Sequence, residues 1–338
     1  MIEGHGDDIY KFDRRIKLNF SSNVVSTFDH NGLLRHLAGK SWLIGSYPPP
    51  SPVNLEEKIA NNYGISSENV MVTAGATDAI YSIASLYRQN TSGIVVPSFR
   101  EYEDACVVHD HKVKYLSSFP SDVQPDILWI CSPANPTGIV TPKNEILGYA
   151  RSNHDTLVIV DQAYAHYTDL PIITPTEAAG MNNLLLLGSF TKRFATPGLR
   201  IGYIIGNVAI ISRLKERRMP WNIGGISMEA AGYLLDNASD YIIDYKTLNR
   251  EIGRISKELE RVGISATRSD CNFALFCLPE GLKACDLKQW LVDEEGILIR
   301  DASNFRGLDE RHFRVAARMK DDNNLLINSL RRWISLQQ

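Results

Sequence analysis

Residues 127–138 read ILWICSPANPTG. The first five are apolar without alternation, so neither face of a strand built from them would meet water. That pattern belongs to a strand inside a parallel sheet covered by helices on both sides. A polar, proline-broken turn follows at once. The same arrangement recurs along the chain: IVVP at 94–97, LVIV at 157–160, LLLL at 184–187 and IGYII at 201–205. Helices are predicted between these runs at 76–87, 101–109 and 143–153. Strand and helix alternating in this way predict a doubly wound α/β domain.

The character changes after about residue 215. Residues 226–262 read as mostly helical, 271–278 (CNFALFCL) as an alternating strand, and 284–293 as a helix. Strands at 297–300 and 312–316 and a helix at 322–335 complete an α+β second domain. No internal repeat is visible. No Gly/Ser-rich or charged linker separates the parts, so close packing is expected.

Composition narrows the function classes. Of 338 residues, 44% are apolar and 22% charged, enough to exclude a disordered chain. The formal charge of −3 gives no nucleic-acid footprint. No apolar run nears the ~20 residues of a membrane helix. The start, MIEGHGDD, is too acidic and polar for a signal peptide, so a cytoplasmic protein is expected. Cys106, Cys131, Cys271, Cys277 and Cys285 are odd in number and form no C-x-x-C pair. They read as reduced thiols rather than metal ligands. His109-Asp110-His111 reads as a solvated turn, and Glu216-Arg217-Arg218 and Arg331-Arg332 as solvated helix faces.

Ligands of open α/β sheets sit outside the carboxyl ends of the strands. One such rim collects Gly75-Ala76-Thr77-Asp78 before a helix, Ser132-Pro133-Ala134-Asn135-Pro136-Thr137-Gly138, Asp161-Gln162-Ala163-Tyr164, Gly188-Ser189-Phe190-Thr191-Lys192 and then Arg200. Singly these are weak signals. A glycine-led helix start is commonly a cap, though it also suits a phosphate. Asp161 alone could be an N-cap, and a loop lysine is usually solvated.

Together, Asn135-Pro136-Thr137-Gly138, Asp161-x-x-Tyr164 and Ser189-x-x-Lys192 with Arg200 resemble the aspartate-aminotransferase superfamily, the fold type I enzymes that use pyridoxal 5′-phosphate. The resemblance implies a large domain with a mostly parallel seven-stranded sheet, 45–225. A small domain would combine 1–44 with 226–338. It implies that Lys192 forms the Schiff base with the cofactor and moves protons at the substrate carbon. Asp161 would face the pyridine nitrogen and keep it protonated. Asn135 and Tyr164 would hydrogen-bond the ring oxygen. Gly75, Ala76, Thr77, Ser189, Thr191 and Arg200 would hold the phosphate. Tyr102 would stack on the ring, with a buried helix aromatic as its plain alternative. Tyr47 would reach the neighbouring subunit's phosphate, which implies a homodimer; otherwise it is a loop aromatic beside a proline run. Arg314 would grip the substrate carboxylate.

The resemblance narrows to the branch of histidinol-phosphate aminotransferases and threonine-phosphate decarboxylases. His5-Gly6, Pro197-Gly198-Leu199-Arg200, Met219-Pro220-Trp221, Ile297-Leu298-Ile299-Arg300, Asn304 and Phe313-Arg314-Val315 look like the decarboxylase of cobalamin synthesis. Arg300 would then hold the substrate phosphate, with a strand-end salt bridge as its alternative. His5 would close over the site or lie in a disordered terminus. The implied reaction is decarboxylation of L-threonine O-3-phosphate to 1-aminopropan-2-ol phosphate. The alternative is a histidinol-phosphate-type aminotransferase working with 2-oxoglutarate and glutamate. Departures from the branch pattern are Thr73-Ala74-Gly75 for Gly-Asn-Gly, Gln162 for Glu, and Tyr47-Pro48-Pro49 for Tyr-Pro-Asp. A non-catalytic regulator would need room for a DNA-binding domain, and a nicotinamide enzyme would need G-x-G-x-x-G after its first strand. Neither feature is in the sequence.

Overall fold

The computed structural model describes residues 6–12, 16–25, 27–119 and 124–337. The strands are β1 (Leu18–Asn19), β2 (Val70–Thr73), β3 (Thr91–Val95), β4 (Lys112–Leu116), β5 (Ile127–Cys131), β6 (Leu157–Asp161), β7 (Leu184–Ser189), β8 (Gly202–Gly206), β9 (Ser265–Ala266), β10 (Phe273–Cys277), β11 (Ile297–Leu298), β12 (Arg300–Asp301) and β13 (His312–Ala316). The helices are α1 (Asn31–Ala38), α2 (Val53–Tyr63), α3 (Gly75–Leu86), α4 (Glu101–Val108), α5 (Lys143–Ser152), α6 (Pro175–Gly180), α7 (Phe190–Arg193), α8 (Val208–Lys215), α9 (Gly225–Asp236), α10 (Tyr245–Glu260), α11 (Ala284–Trp290) and α12 (Lys320–Ser335).

Seven strands form one sheet in the order β2-β8-β7-β6-β5-β3-β4. All run parallel except β8, which is antiparallel to both β7 and β2. The central strands are buried on both faces, as their unalternating sequences require. In β5, Leu128 and Ile130 enter one apolar core while Ile127 and Trp129 enter the other. Each such side chain contributes ~1.5–3 kcal/mol on burial.

The two edges are managed differently. Edge strand β4 is largely solvent-exposed and carries Lys112 and Lys114, which discourage pairing with another chain. Edge strand β2 is buried, and its Val72 N–H donates to Glu56 of α2 at 3.2 Å. Lys215 and Arg218 both pair with that carboxylate, the first at 2.9 Å and the second at 2.5 Å. Arg218 is therefore not on a solvated face: its side chain is 7% exposed because it neutralises a buried glutamate. The expected solvated turn is also only half right. Asp110 turns at the surface, but His111 is buried, with Nδ1 2.9 Å from Ser92 Oγ and Nε2 2.9 Å from the Ala84 carbonyl.

The second body is an antiparallel sheet, β12-β13-β10-β9, with β1 and β11 paired beside it in parallel. Its core joins Phe276 and Phe313 of the sheet to Ile255 and Leu259 of α10 and Leu330 of α12. The N-terminal stretch serves both bodies: Phe20 sits in this core, whereas Leu33 of α1 packs in the large-sheet core with Leu55 and Ala230.

Candidate active site

Parallel registry aligns the carboxyl ends of β5 and β6, with Cys131 opposite Asp161 and Asp161 opposite Leu187 of β7. The polar residues that follow these strands therefore arrive at one rim. They line a cavity of about 300 Å³. Every site residue expected from sequence lies on it except Gly75, Tyr47 and His5. Gly75 sits behind the wall, Tyr47 is on the surface, and His5 lies outside the described residues.

Lys192 lies within the short helix α7, and its Nζ donates to the Ser22 carbonyl at 2.7 Å. Burial of its ammonium, reinforced by the Arg314 guanidinium, pushes its pKa down to about 7. The amine can therefore be neutral near neutral pH. Asp161 is 4% exposed, and burial raises its carboxyl above the usual range. Tyr102 O–H (2.7 Å) and Ala163 N–H (2.9 Å) donate to it and counter that rise. The Tyr102 ring stacks on Trp129 at 5.5 Å, so its hydroxyl is tied to Asp161 from a fixed platform. The Tyr164 hydroxyl oxygen accepts from Asn23 Nδ2 at 3.3 Å, and burial raises its pKa.

A second part of the cavity gathers donors that suit an anion. Gly75 has φ +85°, and a Cβ there would stand 2.6 Å from Arg200 Nη2. A Cβ on Gly202 would come within 2.5 Å of Gly75 C and 2.6 Å of Ala76 N. Two absent side chains thus let β8 and Arg200 press against the first turn of α3, whose free N–H groups and dipole favour an anion. Arg200 Nη1 also donates to Thr191 Oγ1 at 3.5 Å.

The small sheet supplies the remaining wall. In the β12–β13 pairing, Arg300 lies directly opposite Arg314. Arg314 donates to Asn135 Oδ1 and to the Ser21 carbonyl, while its buried Nε has no partner among the described residues. Arg300 donates to Asn304 Oδ1 at 2.6 Å and lies 5.1 Å over the Phe305 ring. Burial beside Arg314 lowers its pKa to about 10. A phosphate cradle, a buried carboxylate, a depressed lysine and an unsatisfied guanidinium N–H fit pyridoxal phosphate with an anionic substrate.

Sequence reasoning missed the Ser21-Ser22-Asn23 turn and Asp7. The turn follows the short strand β1 and hydrogen-bonds Arg314, Lys192 and Tyr164. Its signal was present, a polar triplet directly after an alternating segment (IKLNF, 16–20). Asp7 lines the cavity and accepts from Asn19 Nδ2 at 2.5 Å. No local pattern marks it. Gln162, the departure from Glu, is buried and pairs its amide with the Ile173 backbone at 3.0 and 2.9 Å in the orientation that hydrogen bonding selects.

Outside the cavity, donor atoms of Cys277, Asp309 and His312 lie within 4.8 Å of one another. Asp309 is already committed there to Arg311 (2.9 Å) and His312 (2.7 Å), and the Arg311 charge opposes a cation. All five thiols are free. Tyr47 is 89% exposed with its ring 5.8 Å from that of Trp221. Among the described residues no helix is long and apolar enough to cross a membrane.

Residues 15–328 match the family "aminotransferase class I and II". The structure of L-threonine-O-3-phosphate decarboxylase from Porphyromonas gingivalis is similar, with 33% identity, a TM-score of 0.89 and coverage of 94% of this chain and 99% of that one. A histidinol-phosphate aminotransferase structure from Clostridium acetobutylicum has 25% identity and a TM-score of 0.84 over 94% of this chain and 99% of that one. The histidinol-phosphate aminotransferase of Caldanaerobacter subterraneus subsp. tengcongensis is 30% identical, covering 88% of this chain and 86% of its own. The cavity's donors and these likenesses agree, and the chain belongs to the class I and II aminotransferases, a family of fold type I pyridoxal-phosphate enzymes, in the branch of threonine-phosphate decarboxylases and histidinol-phosphate aminotransferases.

Proposed function

We propose that the protein removes CO₂ from L-threonine O-3-phosphate and releases 1-aminopropan-2-ol phosphate. The observation that carries this reading is the facing pair Arg300 and Arg314, both buried and both on the cavity wall. A substrate with a carboxylate and a phosphate on neighbouring carbons can engage both at once. Arg314 would grip the carboxylate and Arg300 the phosphate.

The cofactor would be held by the α3 start, Ser189, Thr191 and Arg200 at its phosphate, by Asp161 at its ring nitrogen, by Asn135 and Tyr164 at its ring oxygen, and by Lys192 at its aldehyde. Bound pyridoxal phosphate supplies an electron sink for negative charge at the substrate Cα. Arg314, by orienting the substrate carboxylate, would decide which Cα bond breaks. If the Cα–carboxylate bond breaks, its electron pair would stay at Cα, and a proton delivered there from Lys192 would replace CO₂. If the Cα–H bond breaks, Lys192 would remove the α-proton instead, the first step of transamination.

Tyr47 belongs to this reading as a residue that reaches a partner subunit's site in a homodimer, and its full exposure supports that role. Residues 45–225 would carry the cofactor and 1–44 with 226–338 would form the substrate-side domain, with α1 and α9 of that part packed on the large-sheet core. The enzyme would act in the cytoplasm, where five free thiols persist.

Two assays decide the reaction. Expected is CO₂ release from L-threonine O-3-phosphate without a keto acid. Glutamate formation from histidinol phosphate with 2-oxoglutarate and no CO₂ would overturn the decarboxylase reading in favour of an aminotransferase.

A further inference from the structure

One ion pair bridges the two walls of the cleft at its rim. Arg306 stands on the loop that follows β12. Its Nε donates to Glu103 Oε2 at 3.0 Å and its Nη2 to Oε1 at 2.5 Å, a fork on one carboxylate. The same guanidinium lies 4.0 Å over the ring of Tyr115 in β4. Glu103 is on the first turn of α4, beside Tyr102, and its side chain is 14% exposed against 46% for Arg306. The Arg306 guanidinium holds its carboxyl below the usual range.

The loop carrying Arg306 also carries the groups that brace Arg300. Asn304 accepts from its guanidinium, and Phe305 lies beneath it. Phe305 is fixed in turn by an apolar cluster with Leu275, Ala302 and Leu308. Asn304, Phe305 and Arg300 line one side of the cavity, while Phe99 and Tyr102, from the start of α4, line the other.

We propose that Glu103 and Arg306, with Tyr115 as floor, form a clasp across the mouth of the cleft. By fixing the 302–308 loop against α4, the clasp sets Asn304 and Arg300 against the phosphate of the substrate. Glu103 and Arg306 are positioning residues, and the substrate half of this statement rests on the reading of Arg300 given above. An exposed single-point ion pair would do little. This one is forked, stacked on an aromatic face and half-sheltered, and it ties the loop after β12 to α4 and β4 of the large sheet.

The test uses the loaded enzyme with L-threonine O-3-phosphate, or with histidinol phosphate and 2-oxoglutarate if that is what the wild type turns over. Arg306→Ala is expected to raise KM about five- to tenfold with kcat within about twofold. Arg306→Lys should recover part of the loss, because it keeps the charge but not the fork. The reversal Glu103→Arg with Arg306→Glu should recover at least half. Cofactor affinity and absorbance should stay as in the wild type. Amide exchange at Phe305 and Leu308, which bond to Ala302 and Phe305 carbonyls, should quicken in Arg306→Ala. An unchanged KM, an equal fall in cofactor affinity, or a reversal without recovery would each overturn the clasp. Arg300→Gln separates the two readings. An unchanged KM there overturns Arg300 as phosphate partner and the substrate half of the clasp, while loop exchange in Arg306→Ala still decides whether the clasp exists.

Discussion

At Lys192 the fold places an amine where a charge is costly. Burial and the Arg314 guanidinium bring its pKa to about 7, against 10.5 for a free lysine. In the cofactor-free protein the unfolded chain therefore binds more protons between about pH 7 and pH 10.5, and folding stability rises with pH across that window. The penalty of the buried ammonium is complete below pH 7. Lys192→Met is thus expected to stabilise the cofactor-free protein by on the order of 2 kcal/mol at pH 6, after discounting for solvent access through the cleft. The gain should shrink toward zero near pH 10, which urea unfolding at both pH values would read. A constant gain would show that packing, not charge, is responsible. The identity of Lys192, Asp161 and Asn135 as a set was legible because each stands at or shortly after the carboxyl end of a strand. Their present partners were not. That Tyr102 O–H meets Asp161, and that Arg314 meets Asn135 across 179 residues, depends on how two sheets face each other.

At the scale of elements, the joint between β8 and α3 is the most demanding feature. Gly202→Ala would force a methyl into the Gly75–Ala76 peptide, which is backbone and cannot swing aside. The variant is expected to lose ~1–3 kcal/mol of stability. Its cofactor affinity should fall at least ~tenfold, equal to ~1.4 kcal/mol, as the α3 start is pushed off the phosphate. Gly198→Ala, with open space around its Cβ, is the control. Equal cofactor titrations for the two variants would remove the α3 start from the phosphate site. Strands β3, β5, β6, β7 and β8 were read within three residues of their ends, since an unbroken apolar run has no other use at that length. Edge strand β4 was not read, because KVKYL meets water along much of its length and carries the lysines of a guarded edge. Helix 284–293 was read as one piece, whereas α11 passes into a π-type turn at Leu291–Glu295 and stops at Gly296, φ +68°.

At the scale of the whole molecule, an apolar surface remains around Tyr47. Trp42, Ile44, Met219 and Trp221 are each more than half exposed nearby in the chain or in space, and Trp221 N–H donates to the Pro50 carbonyl at 3.0 Å. A patch of this kind fits a second copy of the chain. Ile44→Asp with Trp42→Asp is expected to shift sedimentation from dimer to monomer and to lower cofactor affinity. Tyr47→Phe should remain dimeric but bind the cofactor several-fold more weakly. A double aspartate variant that still sediments as a dimer would move the interface elsewhere. By itself, the sequence determined the five inner strands of the large sheet and the chemical inventory of its rim, because strand burial and the residues that follow a strand are properties of neighbours in the chain. It also named Arg300 and Arg314 through family likeness. Only the tertiary structure decided that Arg300 and Arg314 face one another, that Ser22 and Asn23 close the lysine side, and that Arg306 reaches Glu103. Those contacts join segments up to 203 residues apart, and sheet registry and core packing alone set such distances.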